Sequence, residues 1–234
     1  KKNKPGYSRR RSHPLDGPDL AIVIPALNEA ATIGQLVTVA AKFGTVIVVD
    51  DGSTDETGDI ARSAEATVIR HDRRQGYEKS IESGFALAQK LRAVAVVTMD
   101  ADGEHDPSLL ARFRELLVAE GIPLVLGVRP NQPRLAEYAM GKIFRWRYGI
   151  TDALCGMKGY RTELYRENGG FDHVEGVGTE LAVHAIQRGA QFLEVPVSGG
   201  RRQDKSRYGQ ALRANLKIVS ALVRVMRSRP QNSN

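Results

Sequence analysis

The sequence AVAVVTMDADGEHDP, residues 93–107, joins an apolar run to three acidic residues at alternate positions. Its apolar residues 94–97 predict a buried strand. Side chains two residues apart on an extended chain point the same way, so we expect Asp100, Asp102 and Glu104 to converge where this strand ends. Converging carboxylates repel one another unless a cation lies among them, and oxygen ligands favour Mg²⁺ or Mn²⁺. The stretch therefore predicts a metal site, with an acidic surface turn as the alternative.

Similar apolar runs occur on both sides of this stretch, with helix-forming segments between them. Asp106 before Pro107 predicts a helix start, and Asn28 is predicted to cap an earlier helix. Strands are predicted at 20–24, 45–49, 66–70, 94–97, 124–128 and 191–197, helices at 29–42, 60–64, 77–91, 107–120, 135–148, 179–188 and 212–227, and a Gly-rich turn region at 151–160. Apolar strands alternating with helices predict an α/β domain, in which helices cover both faces of a mostly parallel sheet.

The polar segments that follow three of these strands are expected to share one crevice, because ligands of such sheets bind at the carboxyl ends of the strands. The segments are residues 25–29, Asp50 with Asp51, and residues 100–104. Neither GxGxxG nor GxxxxGK[ST] occurs, so the sequence does not predict a Rossmann dinucleotide site or a P-loop.

Basic residues are concentrated at the two ends of this 234-residue chain. Within the net charge of +7, residues 1–14 contribute +6 and residues 199–234 contribute +8, so the residues between them carry −7. Basic ends on an acidic body indicate an anionic partner such as a phosphate, a membrane surface or nucleic acid, with a solvated tail as the alternative for the first run. The single cysteine, Cys155, excludes an intrachain disulfide and is typical of a reducing compartment.

Two predicted helices place basic residues beside apolar ones. Helix 135–148 interleaves them with aromatic residues, but no nucleic-acid motif accompanies it, so we predict a half-buried helix and no nucleic-acid partner. Helix 212–227 has one apolar stripe flanked by basic residues, and the stripe consists of Leu212, Leu216, Val219, Val223 and Met226. Such a stripe lies on an anionic membrane surface or packs on the domain's own core, and the sequence leaves both open.

Six motifs in order resemble glycosyltransferase family 2, most closely its dolichyl- and polyprenyl-phosphate sugar transferases. The motifs are IVIPALNEAATI, VIVVDDGSTDET, VTMDADGEHDP, DALCGMKGY, GTELAVHAIQRG, and EVPV followed by RRQDKSRYG. They extend from about residue 20 to residue 209. The resemblance implies the GT-A fold in a single domain, a nucleotide-sugar donor, a divalent metal (Mg²⁺ or Mn²⁺) and inversion at the anomeric carbon.

The resemblance also implies roles for individual residues. Asp100, Asp102 and Glu104 are the implied metal ligands. Asp102, Glu180 and Arg201 are the implied catalytic residues, with Glu180 orienting the acceptor or acting as a base. The implied donor-binding residues are Pro25, Ala26, Asn28, Glu29, Asp50, Asp51, Asp100, Arg129, Arg201 and Arg207.

Other positions of the motifs concern the acceptor side or depart from the family pattern. Gly156, with Asp152 before it, matches the segment that shapes the acceptor side. Glu78 and Asp204 stand where glycines are common, Arg207 where lysine is common and Met157 where an aromatic residue is common. These departures leave the identities of donor and acceptor open.

We therefore expect an inverting, metal-dependent enzyme that moves a sugar from GDP-mannose or a UDP-hexose to a polyprenyl or dolichyl phosphate. A metal and Arg129 would stabilise the charge that develops on the departing diphosphate. The alternatives are transfer to a glycan hydroxyl, a sugar nucleotidyltransferase and an inactive nucleotide-binding protein. The expected organisation is a flexible basic lead-in (1–18), the transferase domain (19–209) and a basic amphipathic helix and tail (210–234). The expected location is the cytoplasmic face of a membrane, with peripheral contact through that helix.

Overall fold

Seven strands form one sheet in the order β3-β2-β1-β4-β6-β5-β7. The computed structural model describes residues 17–103, 105–130, 135–171, 173, 176, 178–197 and 219–228. The strands are β1 (Leu20–Ala26), β2 (Thr45–Asp50), β3 (Thr67–Arg70), β4 (Ala95–Thr98), β5 (Leu124–Val128), β6 (Lys158–Arg161) and β7 (Phe192–Pro196). All neighbouring pairs are parallel except the two that involve β6, which is antiparallel to β4 and β5.

Helices connect most of these strands. They are α1 (Ile33–Ala40), α2 (Thr57–Ser63), α3 (Tyr77–Lys90), α4 (Leu110–Arg114), α5 (Leu135–Tyr148), α6 (Thr162–Asn168) and α7 (Glu180–Gln187). A 3₁₀ turn at Pro107–Leu109 precedes α4 and a π-helical turn at Glu115–Ala119 follows it. Residues 219–227 form a further helix, called the C-terminal helix below.

The sheet separates two apolar clusters, so its central strands are buried on both faces. Along β1, Ala21 and Val23 belong to one cluster, which α3, α5, α6 and α7 cover. The intervening residues Ile22 and Ile24 belong to the other cluster, which α1, α2, α4 and the π-helical turn cover. Strands buried in this way are apolar along their whole length, which is why their positions are visible in the sequence. The predicted α/β architecture is confirmed.

Strand β6 contradicts the predicted turn region at 151–160. Its sequence, KGYR, contains no apolar run, yet it lies between β4 and β5, with Lys158 opposite Thr98 and Leu126. The prediction was wrong because it relied on continuous apolar runs to locate strands. This short strand has no such run, since its first two residues are a lysine and a glycine. Helix α6, which follows β6 directly, was also not predicted.

The loop after β1 differs from the predicted helix cap. Asn28 has a positive φ of 58° and lies well before α1, which begins at Ile33. Its side chain accepts a hydrogen bond from Thr54 N at 2.9 Å instead of capping the helix. The predicted start after residue 105 is confirmed, since Asp106 accepts a hydrogen bond from Ser108 N with Pro107 in the first turn.

The C-terminal helix packs on the core through Ala221, Leu222 and Val225, which are fully buried. The predicted stripe residues Val219, Val223 and Met226 are only half-buried, so the docked face is rotated from the predicted one. Leu212 and Leu216 lie outside the described residues. Ser228 Oγ lies 2.8 Å from His184 Nε2 on α7, which fixes the end of this helix to the domain. Among the described helices, none combines the length and apolarity that a membrane span requires.

Candidate functional site

Hydrogen bonds join the segments that follow β1, β2 and β4. Asn28 N donates to Ser53 Oγ at 3.0 Å, and Glu29 N donates to Thr57 Oγ1 at 2.8 Å. Thr32 Oγ1 donates to the Ala101 carbonyl at 2.9 Å, which links the β1 loop to the loop after β4. The three polar strand ends therefore form one connected edge, as their positions in a parallel sheet predicted.

A cavity of about 350 Å³ opens at this edge of the sheet. It combines acidic side chains with two basic ones and lies over β1, β4, β5 and β6. Its walls are formed by Pro25, Glu29, Tyr77, Asp100, Ala101, Asp102, Arg129, Leu154, Cys155, Gly156 and Lys158. Five of the predicted site residues, Pro25, Glu29, Asp100, Asp102 and Arg129, are thus brought together.

Asp100 and Asp102 follow β4 and are half-buried in the cavity wall. The Asp100 carboxylate lies so close to Gly156 that a β-carbon at residue 156 would come 1.9 Å from Asp100 Oδ2. Two carboxylates and an open cavity fit Mg²⁺ or Mn²⁺, since Mg²⁺ in particular is often held by one or two carboxylates together with substrate phosphates and water. In the described part of the chain, no three His, Cys, Asp or Glu side chains are arranged to hold a metal, and Glu104 lies outside that part.

Arg129, directly after β5, is held by a buried carboxylate. Its Nε donates to Asp152 Oδ2 at 2.7 Å and its Nη2 donates to Asp152 Oδ1 at 2.9 Å. Burial alone would raise the pKa of Asp152, but the hydrogen bonds and charge of Arg129 outweigh it and hold this pKa below its usual range. The bidentate pair fixes the orientation of the guanidinium at the cavity.

Lys158 is a cavity residue that the sequence analysis missed. It is the first residue of β6, and its Nζ donates to the Gly178 carbonyl at 2.9 Å. Desolvation lowers the pKa of Lys158, although the nearby carboxylates of Asp152 and Asp100 oppose the shift. A lysine in the otherwise apolar part of DALCGMKGY was the available signal, because a charge among apolar residues is rarely buried without a role.

Two other cavity residues are uncharged. Burial, followed by the negative charge of Asp100, raises the pKa of Tyr77 well above its usual range. Burial raises the pKa of the Cys155 thiol to about 12, so this cysteine is not a thiolate nucleophile at neutral pH. Both residues shape the cavity as neutral groups.

Asp50 and Asp51, which follow β2, do not line the cavity. The Asp51 carboxylate accepts hydrogen bonds from Gln75 N and Gly76 N, both at 2.8 Å, and lies 2.8 Å from His71 Nδ1. These hydrogen bonds outweigh burial and lower the pKa of Asp51. Asp50 accepts from Ser53 N at 2.8 Å. Both carboxylates therefore organise the loops around the cavity.

Residues 21–169 match the sequence model described as glycosyl transferase family 2. The chain belongs to glycosyl transferase family 2. It is 29% identical to a dolichyl-phosphate hexose transferase of Haloferax volcanii, over 76% of this chain and 82% of that protein. It is also 29% identical to an undecaprenyl-phosphate mannosyltransferase of Micrococcus luteus, over 77% of this chain and 83% of that protein.

Solved structures agree on the fold of this family 2 protein. Glucosyl-3-phosphoglycerate synthase from Mycobacterium tuberculosis, in complex with Mn²⁺, UDP and glucosyl-3-phosphoglycerate, matches with a TM-score of 0.71. The two proteins are 22% identical, and the match covers 89% of this chain and 80% of that one. The predicted family, the fold and the enzyme class are confirmed, as is the resemblance to the polyprenyl-phosphate sugar transferases of the family.

Within this family 2 site, the structure places Glu180 away from the cavity wall. Glu180 begins α7 and is 1% exposed. Its Oε2 accepts from His173 N at 2.6 Å, and its Oε1 lies 2.9 Å from His173 Nδ1. The carboxylate thus holds the segment before α7, and its predicted catalytic role stays a prediction.

Three predicted site residues, Glu104, Arg201 and Arg207, lie outside the described residues. The two other predicted donor-binding residues are next to the cavity. Ala26 is buried, and its carbonyl accepts from Asp51 N at 2.9 Å. Asn28 supports the β1 loop through its contacts with Ser53 and Thr54.

Proposed function

We propose that this family 2 glycosyltransferase moves a sugar, with inversion, from a nucleoside-diphosphate sugar to a polyprenyl or dolichyl phosphate at a membrane surface. The observation that carries the proposal is the cavity, whose walls contain Asp100 and Asp102 together with Arg129 and Lys158. Such a mixture of charges suits a diphosphate that binds through a cation and a second anion that binds directly. The two relatives named for lipid-phosphate sugar transfer support the choice of acceptor.

Asp100 and Asp102 would hold a divalent cation, Mg²⁺ or Mn²⁺, with Glu104 as the expected third ligand. When bound, the cation would neutralise the charge that develops on the departing diphosphate. Gly156 leaves the space in which the Asp100 carboxylate lies. Arg129, kept in place by Asp152, would stabilise negative charge on the same side. Arg201 and Arg207 are proposed to assist there.

The nucleoside would lie over the ends of β1 and β2. Pro25 and Glu29 line the cavity directly, while Ala26 and Asn28 shape the loop that carries them. Asp50 and Asp51 would act on the donor by fixing the loops after β2 and β3, because their carboxylates are already bonded to those loops. The donor contacts of this region would thus be made largely by a prearranged backbone.

The acceptor phosphate would attack the anomeric carbon from the face opposite the diphosphate. A phosphate is ionised at neutral pH, so no side chain has to remove a proton from it. This chemistry agrees with a Glu180 carboxylate that is buried against His173. An acceptor hydroxyl would instead require a base at the cavity.

The experiment is a transfer assay with GDP-mannose and UDP-hexoses as donors and a short polyprenyl phosphate, the matching alcohol and an oligosaccharide as acceptors. We expect a lipid-phosphate-linked sugar of inverted configuration, formed only with Mg²⁺ or Mn²⁺ and stopped by EDTA. Transfer to the oligosaccharide but not to the phosphate would overturn the proposed acceptor. Formation of a nucleotide sugar from a sugar phosphate and a nucleoside triphosphate would overturn the reaction class.

A further inference from the structure

Lys158 is a buried lysine in the wall of the cavity. The residue is 4% exposed, and the hydrogen bond of its Nζ goes to a neutral acceptor, the Gly178 carbonyl. Among the described residues, no carboxylate forms an ion pair with it. A lysine ammonium has three N–H donors, and a buried charge is costly unless an anion offsets it. An anion that enters the cavity would therefore stabilise the charged form of Lys158 in this buried position.

Arg129, the other basic residue of the cavity, is paired with a carboxylate. Arg129 is bound by both carboxylate oxygens of Asp152, so a large part of its charge is neutralised within the protein. Lys158 is attracted by Cys155, Asp152 and Asp100 and repelled by Arg129, and the hydrogen bond of its Nζ goes to the Gly178 carbonyl instead of a carboxylate. Of these two cations, Lys158 has the stronger electrostatic reason to bind an anion that enters the cavity.

The order of strands in the sheet places Lys158 on the opposite side of β4 from the proposed nucleoside contacts. Strands β2 and β1, which carry the proposed nucleoside contacts, lie on one side of β4, and β6 lies on the other. Lys158 is opposite Thr98, two residues before Asp100, so the proposed metal ligands stand between Lys158 and the nucleoside side. An anion bound at Lys158 would therefore lie on the side of the proposed diphosphate site that is away from β1 and β2. We expect the second substrate to approach from this side.

The position of the ammonium is fixed by its neighbours. Gly178 has a φ of +65°, and a β-carbon at this residue would come 3.1 Å from Tyr77 Cε1. The Gly178 backbone is therefore held between the Tyr77 ring and Lys158 Nζ, and Thr179 Oγ1 donates to the Ala153 carbonyl at 2.9 Å. Within the described part of the chain, the Gly178 carbonyl is the hydrogen-bond acceptor of Lys158 Nζ, and we infer that the other N–H donors of Lys158 bind a ligand.

We propose that Lys158 binds the phosphate group of the acceptor and so makes this site select an ionised phosphate over a neutral hydroxyl. The inference rests on the proposed function, since it concerns the acceptor of the same reaction. It adds a specificity-determining residue on β6 to the carboxylates and arginines expected from the sequence.

The test compares Lys158→Met with the wild-type enzyme and with Lys90→Met, a control at an exposed lysine at the end of α3. Binding of a short polyprenyl phosphate, of the matching polyprenyl alcohol, and of UDP and GDP with Mn²⁺ is measured for each protein. We expect Lys158→Met to weaken phosphate binding about tenfold or more, the usual effect of a lost charge-assisted hydrogen bond. Binding of the alcohol and of the nucleotides should be unchanged, and the KM for the phosphate acceptor should rise more than kcat falls.

Equal weakening for the phosphate and the alcohol would overturn the inference, because it would show that Lys158 only supports Gly178. Weaker nucleotide binding with unchanged phosphate binding would also overturn it and would assign Lys158 to the donor. A wild-type measurement covers the case in which Lys158→Met does not fold: equal affinity for phosphate and alcohol would refute the proposed selectivity. If the wild-type enzyme transfers to the phosphate and Lys158→Met does so equally well, this inference fails while the proposed function stands.

Discussion

The Asp100 carboxylate occupies the space that a side chain at Gly156 would need. A β-carbon at residue 156 would lie 1.9 Å from Asp100 Oδ2 and 2.5 Å from Asp100 Cγ. The two residues come from different parts of the chain, one after β4 and one before β6. The absence of a side chain at residue 156 therefore sets the position of a proposed metal ligand.

Gly156→Ala is expected to displace Asp100 and to lower transfer by about tenfold to a hundredfold, because small misplacements of catalytic groups have effects of this size. The measurement is kcat/KM together with the Mn²⁺ concentration that gives half-maximal activity, which should rise. Gly34→Ala is the control, since its β-carbon would meet only the Ile60 side chain, at 3.0 Å. Unchanged metal dependence in Gly156→Ala would contradict the placement of Asp100 as a ligand.

Asp102→Ala should reduce transfer by about a hundredfold or more, as expected for a lost contribution to transition-state charge stabilisation. The fold should persist, because Asp102 is half-buried at the edge of the cavity. Thermal shifts with UDP or GDP, with and without Mn²⁺, provide the check: Mn²⁺ should no longer increase the shift. Asp59→Ala, on the exposed surface of α2, should behave as the wild type. A normal turnover in Asp102→Ala would refute the metal assignment.

Asp152→Asn should destabilise the protein by about 3 kcal/mol at pH 7, the usual effect of breaking a buried ion pair. Arg129 holds the folded-state pKa of Asp152 below its unfolded value. The stabilisation is therefore complete above the unfolded pKa of about 4 and is lost as the pH falls through the lower, folded value. Urea unfolding at pH 7 and below pH 4 should show a smaller difference between variant and wild type at the lower pH. A difference that is independent of pH would show that the charge of Asp152 is not the source.

Glu180→Gln distinguishes a structural carboxylate from a catalytic base. We expect a loss of about 1–3 kcal/mol in stability, because buried hydrogen-bond partners of Glu180 at His173 are left poorly matched. Transfer to a polyprenyl phosphate should fall by less than about tenfold, whereas a general base contributes a factor of about 10² to 10⁴. Urea unfolding and kcat together give the answer. A loss of the larger size at unchanged stability would establish Glu180 as the base.

Substitutions in the C-terminal helix test core packing and membrane contact independently. Leu222→Ala should cost about 2–5 kcal/mol, since Leu222 is 1% exposed in the core. Replacing the exposed Arg224 and Arg227 by glutamate should lower stability less than Leu222→Ala, because each charge in the last turn of a helix contributes about 0.3–1 kcal/mol. It should weaken binding to anionic liposomes, because each basic residue near such a surface contributes about 1 kcal/mol. Sedimentation with vesicles that contain anionic lipid, compared with neutral vesicles, measures the second effect. Equal binding by the double variant would exclude these two residues as membrane contacts.

The sequence was most informative where strands are buried on both faces. The apolar runs of β1, β2 and β5 mark their positions closely, and the polar residues after them mark the edge at which the cavity opens. In β6 this signal is missing, because KGYR contains two charged residues, one glycine and a single aromatic residue. Lys158 was missed together with its strand, although it lies in the same cavity as Asp100.

The sequence was least informative about where polar side chains bond. Asp51 is an expected donor-binding residue, and its carboxylate accepts hydrogen bonds from the backbone of Gln75 and Gly76, which are more than twenty residues away. Local patterns do not encode such distant partners. The C-terminal helix shows the same difficulty, since its predicted stripe and its buried face differ by a rotation that only the docked structure fixes.

The hydrogen bonds from Asn28 to Ser53 and Thr54, and from Glu29 to Thr57, have a thermodynamic consequence. Two loops that would otherwise lose conformational entropy on meeting a nucleotide have already lost it during folding. If the proposed donor binds here, these loops are arranged before the sugar nucleotide arrives, and a larger part of each contact's free energy would appear as affinity. A nucleotide of a different shape would have to break these hydrogen bonds to fit, which would favour one donor over others.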